Sequence, residues 1–128
     1  MSKPPVIAIV DDDGAVREAL CDLLLVEGLL ARPFDGAAAF LAQADVGEVD
    51  CIVTDVRMPE IDGLELQARL RAQGSSVPVI FITSSVADST RAQAMRGGAT
   101  AWFTKPVADQ ALLDALRRAL GQGGRSGR

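Results

Sequence analysis

There is no histidine among the 128 residues of this chain. That absence removes histidine-based general base catalysis, histidine metal ligands and a phosphohistidine relay in one step. No apolar run approaches the roughly 20 residues that a membrane-spanning helix needs, and the opening Met-Ser-Lys-Pro-Pro lacks the apolar stretch of a signal peptide. A soluble cytoplasmic protein without membrane contact is expected. Cysteine is scarce. Cys21 and Cys51 both fall inside strongly apolar segments, which predicts buried free thiols and no disulfide. Excess positive charge is missing too: the formal net charge of -4 argues against this domain holding nucleic acid by itself.

What is present is core material. With 48% hydrophobic and 23% charged residues, 128 residues make one ordinary domain. It is expected to occupy residues 1–120. Residues 121–128, Gly-Gln-Gly-Gly-Arg-Ser-Gly-Arg, have the composition of a flexible tail or the start of a linker to an absent domain.

Five short runs rich in Val, Ile and Phe alternate with stretches of helical periodicity, the pattern of repeated βα units around a parallel sheet. The predicted strands are Val6 to Val10, Leu30 to Phe34, Cys51 to Thr54, Val79 to Thr83 and Ala101 to Phe103. Val-Ile-Ala-Ile-Val and Val-Ile-Phe-Ile are apolar without alternation, so both faces of the sheet should be covered by helices. The first helix carries Val16, Leu20, Leu23 and Leu24 on one stripe and ends at Gly28. The second groups Ala37, Phe40, Leu41 and Ala44, with Asp35 placed to cap it. A third, from about Leu64 to Gln73, buries Leu66 and Leu70. The fourth, roughly Ala87 to Arg96, has Met95 as its one large apolar residue and should be the least firmly packed. Leu112, Leu113, Leu116 and Leu120 anchor the fifth. The result is an α/β fold, (βα) five times, with right-handed crossovers.

In an open α/β sheet the functional crevice lies outside the carboxyl ends of the strands. There the chain places Asp11, Asp12 and Asp13 after strand one, Asp55 after strand three, Thr83, Ser84 and Ser85 at the end of strand four, and Lys105-Pro106 after strand five. One of the first three aspartates suits a helix cap. The others, gathered with Asp55, would repel one another unless a cation offsets them. Mg2+ takes oxygen ligands and commonly sits between carboxylates and a phosphate. Lys105 is a point charge for a phosphoryl oxygen, and Thr83 a hydrogen-bond donor to another. An X-Pro bond such as Lys105-Pro106 can be cis at modest cost, and a fixed turn there would aim the ammonium group into the crevice. A carboxylate nucleophile in this setting can take up a phosphoryl group as an aspartyl phosphate, and an ionised Asp needs no general base.

These residues resemble bacterial response-regulator receiver domains, the phosphoacceptor half of two-component signalling, from Val6 to Leu120. The resemblance is carried by Ile-Val-Asp-Asp-Asp at 9 to 13, Val-Thr-Asp-Val-Arg-Met-Pro at 53 to 59 with Asp62-Gly63, Phe-Ile-Thr-Ser at 81 to 84, Gly98-Ala99 and Phe-Thr-Lys-Pro at 103 to 106. The Asp-Val-Arg-Met-Pro segment is most similar to the FixJ-like branch, whose members usually attach a helix-turn-helix DNA-binding domain.

The resemblance implies a CheY-like, flavodoxin-like doubly wound five-stranded parallel sheet of order 2-1-3-4-5. It implies phosphorylation of Asp55 by a sensor histidine kinase. Mg2+ would be held by Asp12 directly, by Asp11 mostly through water, by Asp55 and by the backbone carbonyl of Arg57. Thr83 and Lys105 would hold phosphoryl oxygens, and the Lys105-Pro106 bond would be cis. Thr83 would then move towards the phosphoryl group with Trp102 swinging inward behind it. The competing role for Trp102 is a partly buried packing residue that stays in place. The output face would be the fourth helix, fifth strand and fifth helix, a face that pairs two phosphorylated receivers in many family members. Autodephosphorylation would be slow, and the domain would not be a conventional enzyme.

Three positions stand out against the family pattern. Ser84 stands where Ala or Gly is usual, and is still small. Arg57 and Ser85 occupy positions that tune the lifetime of the phosphoryl group. Three rival readings are weaker. A haloacid-dehalogenase-like phosphatase would use the Asp-x-Asp spacing of Asp11 and Asp13, but no cap is present and the Asp55 motif goes unexplained. A degenerate receiver would bind proteins independently of phosphate, yet every expected site residue is here. A flavodoxin-like cofactor binder would need a Gly-rich phosphate loop after the first strand.

Overall fold

Alternation within buried strands decides the architecture. In β1 (Val6–Val10), Ile7 and Ile9 point to one face of the sheet and Ala8 and Val10 to the other, and all four are fully buried. The same split recurs in β3 (Cys51–Thr54) and β4 (Val79–Thr83), where Cys51, Val53, Ile80 and Ile82 oppose Ile52, Val79 and Phe81. Both faces therefore need helices. On one, α1 (Gly14–Val26) and α5 (Asp109–Gly123) insert Leu20, Leu24, Leu112, Leu113 and Leu116. On the other, α2 (Ala37–Gln43), α3 (Gly63–Ala72) and α4 (Asp88–Arg96) insert Ala37, Phe40, Leu66, Leu70 and Ala94. The computed structural model describes residues 3–84 and 88–123. Ser85, the start of the fourth helix at Ala87, and the tail beyond residue 123 lie outside the described residues.

All five strands are parallel, in the order β2-β1-β3-β4-β5, with β2 (Leu30–Phe34) and β5 (Ala101–Thr104) at the edges. Register aligns the carboxyl ends: Val10 lies beside Thr54, Thr54 beside Phe81, and Thr83 beside Thr104. The residues that follow β1, β3 and β5 thus emerge along one edge of the sheet.

Two local expectations are corrected. Asp35 does not cap α2; Gly36 stands at its cap position, without a side-chain bond. Asp13 and Asp62 do cap, Asp13 accepting from Ala15 N at 3.0 Å and Asp62 from Glu65 N at 2.8 Å. The weak apolar hold expected of α4 is found: Met95 is 43% exposed, and among the described residues of this helix only Ala94 is buried. Cys21 is only half-buried, since it lies at the margin of the α1 stripe, whereas Cys51 is fully buried; both are free thiols. Burial pushes the Cys51 thiol up to about 12. The α5 helix runs from Asp109 to Gly123.

Candidate functional site

Asp11 leaves β1 with its amide bonded to the Phe34 carbonyl at 3.2 Å, and its side chain is 1% exposed. Its Oδ1 accepts from Asp13 N at 2.9 Å, and the Arg17 guanidinium donates to its carbonyl at 2.7 Å. Oδ2 lies 3.1 Å from Lys105 Nζ, an ion-pair separation that is not aligned as a hydrogen bond, so this buried oxygen has no hydrogen-bond partner. The three consecutive aspartates divide the work: Asp11 is buried, Asp12 is exposed at the crevice, and Asp13 caps α1.

Asp55 sits at the centre. Its amide donates to the Val10 carbonyl at 3.1 Å, locking the β3 exit to β1. Oδ1 accepts from Val56 N at 2.6 Å and, at a longer 3.4 Å, from Arg57 N. Oδ2 accepts from Lys105 Nζ at 2.8 Å. Lys105 is brought there by its own backbone, whose amide bonds to the Thr83 carbonyl at 2.8 Å, and the Lys105-Pro106 peptide is cis. Thr83 is fully buried at the end of β4.

One ammonium group therefore bridges two buried carboxylates. Burial raises the Asp11 carboxyl above its usual range, with the Asp13 amide and Lys105 opposing the rise. For Lys105 burial acts downward, but the hydrogen bond to Asp55 and the negative charges of Asp11 and Asp55 outweigh it and hold the ammonium above its ordinary value.

The donor set fits a hard divalent cation. Asp11, Asp12 and Asp55 each offer a carboxylate oxygen, all within 4.8 Å of one another. Oxygen-only ligands, one of them a buried oxygen without a hydrogen bond, suit Mg2+, and among the described residues no thiolate stands in this cluster for a softer ion.

The remaining anticipated residues are placed less centrally. Arg57 is exposed, and its contribution at Asp55 comes from the backbone. Ser84 is exposed just beyond Thr83. Trp102 is half-buried and packs its ring 5.6 Å from that of Phe81, on the sheet face that carries α3 and α4.

Three contributors were given no individual role in the sequence reading. Arg17 steadies the Asp11 carbonyl, and the Thr54 hydroxyl donates to the Asp55 carbonyl at 2.9 Å. Gly63 is the third: a Cβ there would overlap the Asp55 carbonyl oxygen, and its amide bonds to the Val56 carbonyl at 2.8 Å. Only Gly63 left a signal, a glycine directly behind the helix-capping Asp62.

Comparison with known proteins agrees with this geometry. The family model described as response regulator receiver domain matches residues 7–117. The response regulator protein TmoT of Ectopseudomonas mendocina is 44% identical over 117 residues, covering 90% of this chain and 52% of that protein. The transcriptional regulatory protein FixJ of Azorhizobium caulinodans is 42% identical over 122 residues, covering 95% and 58%. Among solved structures, the response regulator StyR superposes with a TM-score of 0.88 at 38% identity, over 94% of this chain and 61% of that one. The FixJ-N structure superposes at 0.83 and 33% identity, over 94% and 96%. The chain spans about half the length of the curated relatives it matches.

Proposed function

The chain belongs to the response regulator receiver domain family, and from that premise we propose that Asp55 is the phosphoacceptor of a Mg2+-dependent switch. The observation that carries this reading is the Lys105 ammonium held 2.8 Å from Asp55 and 3.1 Å from Asp11, both buried at the strand ends. Asp11, Asp12, Asp55 and the Arg57 carbonyl are the residues that would hold Mg2+. When bound, the ion supplies positive charge that offsets the phosphoryl oxygens against the carboxylates.

An Asp55 carboxylate oxygen attacks phosphorus, the bond from phosphorus to the donor's leaving atom breaks, and the electron pair departs with the donor. The ionised carboxylate has no proton to give up, which suits a chain lacking histidine. Val56 N and Arg57 N orient Asp55 for that attack. Lys105 then transfers its charge from the carboxylate to a phosphoryl oxygen, and the Thr83 hydroxyl donates to another. These contacts favour one arrangement of the output face α4-β5-α5, with Trp102 following Thr83 inward. Arg57, Ser84 and Ser85 set the lifetime of the phosphoryl group.

A sensor histidine kinase is the donor in the cell, acting on a cytoplasmic receiver. An apolar hollow of about 410 Å3 between Val16, Leu20, Pro106 and Val107, with Lys105 at its edge, gives a docking helix room beside the acceptor. Phosphorylated copies pair through α4-β5-α5, and a DNA-binding output domain continues the chain after α5. Relatives about twice as long, described as transcriptional regulatory proteins, support that extension. The domain's own chemistry is limited to taking up the phosphoryl group and slowly hydrolysing it. The complete site counts against a phosphate-independent receiver.

Intact-mass measurement after incubation with Mg2+ and acetyl phosphate tests this. A single phosphoryl adduct is expected on the native chain, and none on Asp55→Asn or without metal. An adduct that survives Asp55→Asn, or none on the native chain at short times, overturns the assignment.

A further inference from the structure

The output face includes α4, a helix with little apolar hold on the body of the protein: among the described residues only Ala94 of this helix is buried. Its carboxyl end is held by polar side chains of α3. Gln67, 3% exposed, donates through Nε2 to the Ala94 carbonyl at 3.0 Å. One turn further along the same face of α3, Arg71 Nε donates to the Gly97 carbonyl at 2.9 Å. The Arg71 Nη1 also reaches the Ser75 and Val77 carbonyls at 3.1 and 2.9 Å. One guanidinium thus ties the entry of β4 to the exit of α4, and its charge suits the negative end of that helix.

Glycine makes the approach possible. A Cβ at Gly97 would overlap the Gln67 carboxamide, and Gly98, at φ 91°, turns the chain away towards β5. Among the described residues, no side chain from another element hydrogen-bonds the first turn of α4. Among the described residues, the two ends of this helix are held quite differently.

We propose that Gln67 and Arg71 form a latch fixing the carboxyl end of α4, so that switching moves its amino-terminal turns about that end. The proposal rests on the phosphoacceptor reading for what drives the motion; the latch itself is a resting-state property. Both residues act by positioning α4, since neither touches Asp55.

Amide hydrogen exchange on the full chain, with and without Mg2+ and acetyl phosphate, tests it in the native protein, Gln67→Leu, Arg71→Gln and Arg71→Lys. In the native protein the adduct should alter exchange at Ser89 to Arg91 and leave Met95 to Gly97 within about twofold. At rest, Gln67→Leu and Arg71→Gln should speed exchange at Met95 to Gly97 by about 10-fold, the size of one lost hydrogen bond. Arg71→Lys, which keeps a charged donor, should fall between. Exchange at Leu66 and Leu70 in α3 should stay native, which separates loss of the latch from general loosening. Adduct-induced change at Met95 to Gly97 as large as at Ser89 to Arg91 in the native protein overturns the pivot. Native exchange at Met95 to Gly97 in both latch variants overturns the latch. Intact mass on the same samples reports the adduct: if the native chain takes none, the switch reading fails, and resting exchange alone decides the latch.

Discussion

The helices that precede and follow β5 are attached by opposite means. Helix α5 buries Leu112, Leu113, Ala115, Leu116 and Ala119, while α4 among the described residues buries only Ala94 and accepts hydrogen bonds at its carboxyl end from two α3 side chains. At roughly 1.5–3 kcal/mol per fully buried leucine, the difference in apolar attachment is on the order of 5 kcal/mol. Apolar burial has no direction and is lost only when the helix leaves the core. Hydrogen bonds depend on angle and can be exchanged for others in a second arrangement. On the proposed switch, α5 would serve as framework and α4 as the element that takes two positions at small cost.

Changes on the α5 side should have the largest effects. Charging Cys51, which faces the α5 core, is the most severe. Its thiol ionises at about 12 when folded against an ordinary 9.0, so the folded protein keeps a proton that the unfolded chain has released. Stability from this group is whole below pH 9.0 and falls as pH rises towards about 12. The slope is about 1.4 kcal/mol per pH unit, or ~4 kcal/mol across the window. Urea titrations from pH 8 to 11 should show that slope, and Cys51→Ala should flatten it; an unchanged slope would remove the thiol from the explanation. Lys105, raised in the fold, adds to the loss in the alkaline range above 10.5.

Leu116→Ala, at a position with 0% exposure, should cost about 3 kcal/mol through lost burial and a cavity, read as a lowered urea midpoint. On the α4 side, Gly97→Ala should cost about 2 kcal/mol, although alanine is the better helix former, because the methyl group meets Gln67. A stabilising Gly97→Ala would mean the α3 to α4 contact is loose. Met95→Ala should change stability by less than about 0.5 kcal/mol, given 43% exposure. A cost near that of Leu116→Ala would erase the contrast between the two helices.

The strands were legible because both faces of a parallel sheet are covered, so each central strand is a short unbroken apolar run. Four of the five predicted spans match the structure, and β5 gains only Thr104. The acidic site was legible for a topological reason: parallel strands share a carboxyl edge, so residues after each run meet without any knowledge of side-chain geometry. Helix detail was harder to see. Met95 and Ala94 are adjacent, and so few apolar residues in α4 left no periodicity from which to tell that Ala94 is buried and Met95 43% exposed. Asp35 and Gly36 compete for one cap on local geometry alone. Gln67 and Arg71 look like the polar face of an amphipathic helix, and nothing nearby in the chain marks their partners at Ala94 and Gly97.

By itself the sequence determined the βα alternation, the five apolar strands and the set of groups gathered at their ends, since periodicity and strand exits are properties of neighbouring residues. Tertiary structure alone decided that Lys105 bridges Asp55 and Asp11, that Asp13 caps while Asp11 is buried, and that α4 is latched at one end. The Lys105 ion pairs and the α3 contacts to α4 join residues 26 to 94 positions apart at about 3 Å, a distance that backbone packing sets and local pattern does not record.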